Sequence, residues 1–345
     1  MSHFVLELGV EEIPARFLAS LERELRDRFA ALFAENGLTY DSIEAFTTPR
    51  RAVLHVRGLL EATPVREEVA LGPSVKAAFD AEGNPTKAAQ GFARGQGVDV
   101  ADLFQQETPK GVYVAARKTV GGASASSIIA EAAPAIIASL PFAKRMHWGK
   151  DNRFLFARPL RWVLALMDKE VVPFHVADLE SGRMTVGHRV HGKGPHEVAC
   201  ACEYDKVLAE KCGVTVSGAE RRKVVIEGGD ELAKSVNGRV MWKDSLLDEV
   251  QGLSEHPVPV LGDFDPSFLE LPGIVLLTSM ETHQKRFGLA GEDGKLLPHF
   301  LTVSNVSSTE PALVKKGWER VLRARLEDAR FYWNTDIKAS FEVWK

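Results

Sequence analysis

The stretch FVLELGVEEIP, residues 4–14, decides how the chain begins to fold. Its first part, Phe4 to Leu8, is a short apolar run typical of a β-strand. Pro14 then stands where a helix tolerates proline, at its first turn, because the missing amide hydrogen would have no partner there. The stretch therefore predicts a strand that leads directly into a helix.

The residues after Pro14 carry an apolar pattern with a spacing of four, which predicts an amphipathic helix. The positions that share this face are Phe17, Leu21, Leu25, Phe29 and Phe33. Asn36-Gly37 provides a stop. Ile43 to Phe46 and Ala52 to Leu60 are β-like segments on either side of the turn TTPRR, residues 47–51. The opening therefore predicts β-α-β-β, a small sheet unit with arginines in one turn.

Residues 63–140 differ in composition from the residues before them, and this change predicts an inserted α+β module. The segment is rich in Gly, Ala and Lys, has turn residues at 80–85, and contains a strand at 112–118. An alanine-rich helix at 128–140 requires a kink or a break at Pro134. Leu155 to Met167 and Val171 to Leu179 then predict a hairpin that completes the first sheet, so the first domain is expected to be discontinuous, 1–62 plus 141–180.

The remaining sequence predicts a second α+β domain at 181–310 and the start of a helical region at 311–345. Helical segments are expected at 204–211, 219–236 and 245–253, and a strand at 300–305. The last segment ends without Gly, Pro or a polar cap, so we expect the chain to continue in a longer protein. The fold class predicted is multi-domain α+β, with small mixed or antiparallel sheets, packed helices and a helical C-terminal segment.

Composition limits the class of protein. The 345 residues suffice for two or three domains, and 45% hydrophobic with 26% charged residues excludes a disordered or fibrous chain. Lys plus Arg is 43 against 47 for Asp plus Glu, and the net charge of −4 excludes a uniformly basic nucleic-acid coat. With neither a signal peptide nor an apolar run long enough to span a membrane, we expect a soluble cytoplasmic protein without a membrane partner.

Common catalytic signatures are absent from the sequence: it contains no Walker-type or dinucleotide-binding glycine loop, no H-E-x-x-H and no G-x-S-x-G. Three cysteines leave one thiol unpaired, as in proteins of a reducing compartment. Zinc ligands could come from the cysteines and nearby histidines, which are Cys200, Cys202, Cys212, His188, His191 and His196. Their spacing is not that of a standard zinc site, so we expect no metal and interpret the cysteines as buried or incidental.

The segment from Pro141 to Arg161 is strongly basic. It holds six basic residues (Lys144, Arg145, Lys150, Arg153, Arg158, Arg161) and one acidic residue (Asp151), a local charge of +5. Trp148 and two phenylalanines are interleaved with these charges, which suits contact with a polynucleotide. The alternative is that the aromatic residues belong to a core and the charges form a solvated rim. Both interpretations stay open at the level of sequence.

Other charged groups have a structural as well as a functional interpretation. Arg50 and Arg51 suit bidentate contact with phosphate, but a surface salt bridge is the ordinary alternative. The tail arginines Arg320, Arg323 and Arg325 have acidic neighbours with which a helix could pair them. Acid–base or Mg²⁺ chemistry by Glu7, Glu11 and Glu12 is less favoured than a structural role, since acidic residues stabilise helix N-termini.

An ordered series of motifs resembles the β subunit of bacterial heterotetrameric glycyl-tRNA synthetase. The matching stretches are FVLELGVEEIP (4–14), TPRR (48–51), FDAEGNPTKAAQGFAR (79–94), KRMHWG (144–149), FARPLRW (156–162), GHR (187–189), METHQKRF (280–287), GKLLPHFLTVSN (294–305) and ERVLRARLEDARFYWNTD (319–336). The sequence departs from the family pattern at Arg286, where an aromatic residue is usual, and at Trp318, where Asn is usual.

The resemblance implies a non-catalytic β chain that binds and positions tRNA(Gly). In this family two α and two β chains assemble, the α chain holds ATP and Mg²⁺, and the β chain continues into HD-type and anticodon-binding domains. The chain itself is then expected to bind no cofactor and to be inactive in isolation. The candidate RNA contacts are Arg50, Arg51, Lys144, Arg145, Arg158, Arg161, Arg189, Lys285, Arg320, Arg323 and Arg325. The alternatives are a scaffold for the α dimer without RNA contact, and an editing-type hydrolase.

Overall fold

The first part of the chain folds as the opening stretch predicts. The computed structural model describes residues 1–80 and 82–338; Ala81, within the turn expected at 80–85, and residues 339–345, the end of the expected helical region, lie outside it. The first elements are β1 (Ser2–Val10), α1 (Leu18–Glu35), β2 (Ser42–Thr48) and β3 (Arg51–Leu59). β3 lies between β1 and β2 and pairs antiparallel with both. The predicted β-α-β-β unit is confirmed.

The inserted module is smaller than the sequence suggested. It contains β4 (Arg66–Ser74), α2 (Val75–Ala78), α3 (Lys87–Gln96), β5 (Phe104–Thr108) and β6 (Gly111–Val120). Its three strands form a sheet of their own in the order β4-β6-β5. A β-bridge between Ala62 and Ser124 closes its base. The insertion therefore ends near Ser124 and not at residue 140.

The helix after the insertion, α4 (Ala125–Ala138), belongs to the first domain. Its residues Ile129 and Ile137 lie in the same buried cluster as Leu21 and Leu25 of α1. The apolar face of α4 is thus buried against α1, which outweighs its position next to the insertion in sequence. The helix also continues through Pro134 without a break.

The rest of the first sheet comes from later in the chain. The next elements are β7 (Met146–Trp148), β8 (Phe154–Phe156), β9 (Leu160–Met167), β10 (Glu170–Val171), β11 (His175–Val176) and β12 (Leu179–Gly182). The sheet has the order β11-β12-β9-β1-β3-β2, with β10 also paired to β9. The predicted hairpin is confirmed at β9 and β10 only, because the chain turns back and β12 then runs parallel to β9. β7 and β8 form a separate two-stranded sheet in the part of the chain that the structure describes.

The first sheet is covered on both faces. One face packs on α1 and α4, and the other on β13 (Met184–Val186), β14 (Pro195–Glu197) and α5 (Tyr204–Glu210) with their loops. Val5, on this second face, packs with Tyr204 and Leu208 of α5. Two covered faces explain why β1 is apolar along nearly its whole length. Residues 181–216 therefore accompany the first sheet, so the second domain begins later than residue 181.

The second domain has its own sheet and two buried clusters. Its elements are α6 (Gly218–Lys234), β15 (Arg239–Val240), α7 (Asp244–Gln251), β16 (Val258–Asp263), α8 (Gly273–Gln284), β17 (Phe287–Ala290), β18 (Leu296–Ser304) and α9 (Pro311–Asp336). The strands are antiparallel in the order β15-β17-β18-β16. The α+β class with a helical C-terminal segment is confirmed. No helix in the described residues is both long and apolar enough to cross a membrane.

Candidate nucleic-acid interface

Several of the sequence motifs meet at one end of the first sheet. The backbone of the segment after β1 is held by two other segments: the Val10 amide donates to the Arg50 carbonyl (2.8 Å) and the Glu11 amide donates to the Pro159 carbonyl (3.1 Å). The Ile13 amide donates to the Pro49 carbonyl at 2.7 Å. These bonds bring the acidic residues after β1 beside the arginines of residues 50–51 and 158–161.

An indole ring lies at the centre of this junction. Gly9 of β1 pairs with Trp162 of β9, and a Cβ atom on Gly9 would lie 1.9 Å from Cδ2 of the indole. The glycine is therefore required for the ring to lie flat against β1. The guanidinium carbons of Arg50 and Arg51 lie 5.8 and 5.7 Å from the centroid of the indole ring, within the range of cation–π attraction.

Arg51 is not a surface residue, which corrects its assignment as a phosphate contact. Its side chain is fully buried, and its Nε and Nη1 donate to Glu255 and Glu7, both at 2.8 Å. Nη2 donates to the Val186 carbonyl at 3.0 Å. A buried guanidinium needs acceptors from the protein, and here these acceptors leave no face for RNA.

Arg51 pairs with two carboxylates, Glu7 and Glu255, whose pKa values shift in opposite directions. Burial raises the pKa of Glu7 against the opposing charge of Arg51. Burial also works to raise the pKa of Glu255, but Arg51 and a hydrogen bond from Thr48 (2.6 Å) outweigh it and hold that pKa below its usual value. Burial works to lower the pKa of Arg51, and the charges of Glu255 and Glu7 raise it overall. The cluster is a folded-state ion network.

Arg50 is only marginally accessible. Its side chain is 11% exposed, its Nη1 donates to the Gly187 carbonyl at 3.1 Å, and the same atom lies 3.7 Å from Glu255 Oε2. Burial lowers the pKa of this guanidinium. Arg50 thus braces the loop that contains Gly187, and the TPRR turn as a whole has a structural role.

Three further candidate arginines surround the acidic pair after β1. Arg161 Nε lies 3.5 Å from Glu11, and Arg189 lies 2.7 Å from Glu11 and 3.1 Å from Glu12. Arg158 Nε donates to the Glu12 carbonyl at 3.0 Å. Glu11 and Glu12 therefore bind arginines and do not cap a helix, since the first turn of α1 contains no acidic residue.

The β7–β8 hairpin presents basic side chains that are differently placed. Lys144, Arg145 and Lys150 are exposed, and none of them forms a side-chain ion pair or hydrogen bond within the described residues. The aromatic residues of this segment point the other way, since Phe142 and Phe156 are buried in the first core and Trp148 packs against it. The interpretation of the aromatic residues as core is confirmed. We call Lys144, Arg145 and Lys150 the basic hairpin surface.

The remaining candidates lie in the second domain. Arg320, Arg323 and Arg325 are all exposed on α9, and among the described residues Arg323 is the one of the three that pairs along the helix, with Glu327 at 2.9 Å. Because a helix turns about 100° per residue, Arg320 and Arg323 share a face and Arg325 lies on the opposite one. Lys285 ends α8 and pairs with Glu249 at 2.9 Å. The candidate arginines thus lie at several separate places.

The sequence was compared with those of known proteins and protein families. Residues 4–345 match the family described as glycyl-tRNA synthetase beta subunit. The chain belongs to this family. It is 59% identical to the glycine–tRNA ligase beta subunit of Nitratidesulfovibrio vulgaris and 57% identical to that of Oleidesulfovibrio alaskensis, and each alignment covers the whole chain but 49% of the relative. The beta subunit of Lawsonia intracellularis is 46% identical, with 50% of it covered. The chain spans about half the length of these relatives.

The motifs that carry the family resemblance include those that meet around Trp162. FVLELGVEEIP, TPRR, FARPLRW and GHR contribute Glu11, Arg50, Trp162 and Arg189 to one junction. Arg50 lies over the Trp162 ring in the buried part of this junction, and Arg189 pairs with Glu11 at its exposed edge. These motifs therefore contribute to the packing of the fold at least as much as to a surface that could bind RNA.

The cysteines and histidines do not converge on one point. Cys200 and Cys202 are bonded to each other, and Cys212 is a buried free thiol, whose pKa burial raises to about 11. His188, His191 and His256 form a cluster with ring centroids 4.5–6.1 Å apart, in which His188 and His191 are stacked and His256 is tilted against both. Burial lowers the pKa of His188 and of His256. Within residues 1–80 and 82–338 no group of three or more His, Cys, Asp or Glu could hold a metal ion.

Sequence reasoning missed the partners of the buried arginines. Glu255, which accepts from Arg51, gave no signal because it lies far from Arg51 in the chain. Thr185, which donates to Glu7, is likewise far from Glu7 in the chain. Glu7 did give one: it is the single charged residue of β1, and a carboxylate inside an apolar strand is normally paired. Its partner Arg51 lies diagonally across the strand pair, two residues from Val53, the register partner of Glu7.

Proposed function

We propose that this chain forms the part of a glycine–tRNA ligase β chain that binds and positions tRNA(Gly) and assembles with the catalytic α chain. Family membership supports this role. In the complete enzyme two α and two β chains act together in the cytoplasm, ATP and Mg²⁺ are held by the α chain, and the described part of the β chain binds no cofactor. Its contribution to glycylation is then to hold the tRNA in place, a proximity effect.

The observation that carries the RNA-binding part of the proposal is the basic hairpin surface. Lys144, Arg145 and Lys150 are exposed and unpaired within the described residues, so they are available to phosphates without breaking a protein contact. Each phosphate contact by such a residue releases condensed counterions from RNA, which makes binding salt-dependent. Arg161 and Arg189 are secondary candidates, since a phosphate there must displace Glu11 or Glu12.

The test is binding of tRNA(Gly) to the full-length β chain assembled with the α chain. The triple variant Lys144→Ala, Arg145→Ala, Lys150→Ala should weaken binding and lower the slope of log K against log salt by about 2–3. The matched control is Lys206→Ala, Lys211→Ala, Lys234→Ala, three exposed lysines on or beside α5 and α6. Equal affinity and equal salt slope for the two triple variants would reject the hairpin as an RNA contact.

A scaffold for the α dimer is the second candidate, and one observation favours it. Helix α9 carries large exposed apolar side chains, among them Phe331 (67%), Tyr332 (65%) and Ile337 (60%, just after the helix). Such a surface is suited to a protein partner. The scaffold is preferred if Phe331→Ser with Tyr332→Ser abolishes co-purification with the α chain while the hairpin variant leaves tRNA affinity unchanged.

A further inference from the structure

A cavity of about 350 Å³ lies in the second domain between the end of α7, the end of α8, β18 and α9. It is distant in sequence from the basic hairpin surface. Ser254, Gln284 and Arg286 form polar parts of its lining, and Trp318 and Val321 contribute apolar parts. Its volume is at the lower end of the range for small-molecule sites, which suits a ligand of about mononucleotide size.

Arg286 is a buried cation without a carboxylate partner in the described residues. It is 5% exposed, and its Nη1 donates to the Trp318 carbonyl at 3.0 Å. Its guanidinium carbon lies 4.6 Å from the Phe300 ring and 5.9 Å from the Trp318 ring. Burial lowers the pKa of Arg286 to about 10, and no acidic group offsets this effect. Arg51, by contrast, is buried with two carboxylates.

Polar atoms beside Arg286 also have no partner within the described residues. Ser254 is 3% exposed and its Oγ is unpaired, as are both Oε1 and Nε2 of the Gln284 side chain. Buried polar groups in proteins are nearly always hydrogen-bonded, because an unpaired one costs about 1–3 kcal/mol. A hydroxyl, an amide and an uncompensated guanidinium around one cavity match the acceptor oxygens of an anion.

The backbone at Lys285 explains how adjacent basic residues take different roles. Lys285 has φ of +54°, the left-handed conformation that ends α8. This turn sends Arg286 into the domain, while Lys285 pairs with Glu249 at 2.9 Å and also lines the cavity. The cavity is therefore lined by Arg286, which has no carboxylate partner in the described residues, and by Lys285, which pairs with Glu249.

We infer that this cavity binds the phosphate group of a mononucleotide-sized ligand, with Arg286 as the anion contact and Ser254 and Gln284 as hydrogen-bonding partners. The phosphate supplies several oxygens for these donors, and Trp318 and Val321 provide an apolar wall for the rest of the ligand. The phosphate belongs either to a free nucleotide or to the 5′ end of an RNA strand. The site is separate from the proposed hairpin contact and does not depend on it.

The test is calorimetric titration of the full-length chain with inorganic phosphate, 5′-GMP, guanosine, and a short RNA with either a 5′-phosphate or a 5′-hydroxyl. We expect 5′-GMP or the 5′-phosphorylated RNA to bind, and Arg286→Met to weaken that binding at least tenfold. Ser254→Ala should weaken it several-fold. The control Lys316→Ala, an exposed lysine on α9, should bind as the unmodified chain does.

Melting temperatures of the variants show whether a loss of binding comes from a missing ligand contact or from unfolding of the chain. The Ser254 hydroxyl has no partner to lose, so Ser254→Ala should keep or raise the melting temperature of the free chain. Arg286→Met leaves no carboxylate unpaired and removes one hydrogen bond, to the Trp318 carbonyl, so it should lower the melting temperature only slightly and leave the chain folded. Binding of 5′-GMP but not RNA identifies a free nucleotide as the source, and the reverse identifies an RNA end. The inference is overturned if no phosphate compound binds at millimolar concentration, if guanosine binds as well as 5′-GMP, or if Arg286→Met binds normally.

Discussion

Two buried arginines, Arg51 and Arg221, are stabilised in different ways. Arg51 is neutralised by Glu7 and Glu255. Arg221 of α6 is 1% exposed and donates to four backbone carbonyls and to the Gln251 side chain, at 2.7–2.9 Å. Burial lowers its pKa to about 10. Both side chains are buried and donate to acceptors inside the protein, so neither is available to a ligand.

The unequal pKa shifts of Glu255 and Glu7 predict different effects of neutralising them. Glu255→Gln should lower the free energy of unfolding at pH 7 by about 3–5 kcal/mol, because Arg51 loses its better-placed counter-charge. Since the folded-state pKa of Glu255 is depressed, its contribution is fully present above the unfolded value of about 4.3 and is lost as pH falls through the folded pKa. The difference between variant and unmodified chain should therefore shrink on acidification, as measured by urea unfolding.

Glu7→Gln is the matched control for that experiment. Burial raises the folded pKa of Glu7, so its ionised form costs stability as pH rises from the unfolded toward the folded value. Its replacement should therefore be milder at pH 7 than that of Glu255, and its effect should not diminish at low pH. Equal losses for the two variants, or a pH-independent loss for Glu255→Gln, would contradict this account of the network.

At the level of elements, the pairing of β1 with β9 depends on one close contact, between Gly9 and the Trp162 ring. Trp162 lies across Gly9, and the indole in turn lies beneath the guanidinium groups of the TPRR turn. A side chain on Gly9 has to displace the ring, and the arginines above it must follow. The element contact thus joins three sequence motifs that are far apart in the chain.

Gly9→Ala is expected to reduce the free energy of unfolding by about 1–3 kcal/mol or more, through overpacking against Trp162. Gly182→Ala is the control on the same sheet, since a Cβ atom there has nothing within 4 Å. That control should stay within about 0.5 kcal/mol of the unmodified chain in chemical denaturation. Similar losses for both alanines would mean that strand propensity, and not the indole, determines the effect.

At the scale of the whole molecule, the two domains are joined by polar contacts that link their cores. Arg221 Nη2 donates to the Thr47 carbonyl at 2.8 Å, so α6 of the second domain is bonded to β2 of the first. Glu255 reaches Thr48 and Arg51 from the loop after α7. Both contacts are buried, which makes the junction costly to open.

Arg221→Met should therefore uncouple the domains as well as destabilise the chain, by about 3 kcal/mol, because several buried carbonyls lose their donor. Calorimetry should show two thermal transitions where the unmodified chain shows one. The neighbouring variant Arg222→Met is the control: within the described residues Arg222 pairs with Asp244 and Asp248 of its own domain, so its loss should cost about 1 kcal/mol or less and leave a single transition. If both variants show two thermal transitions, or if neither does, Arg221 is not the residue that couples the two domains.

Local periodicity was enough to predict much of the fold. The four-residue spacing from Phe17 to Phe33 predicted α1, and the apolar runs around the TPRR turn predicted β2 and β3. Domain boundaries were less accurate: α4 and residues 181–216 pack on the first sheet, because their apolar faces are buried there whatever their place in the chain.

Local patterns and ordered motifs were enough to predict the first β-α-β-β unit, the α+β class and the family. Only the tertiary structure decided which arginines face solvent. Arg51 lies 204 residues from its partner Glu255, and Arg286 is buried with no such partner in the described residues. Exposure and pairing depend on which distant segments fold against a side chain, and that information is absent from its local sequence.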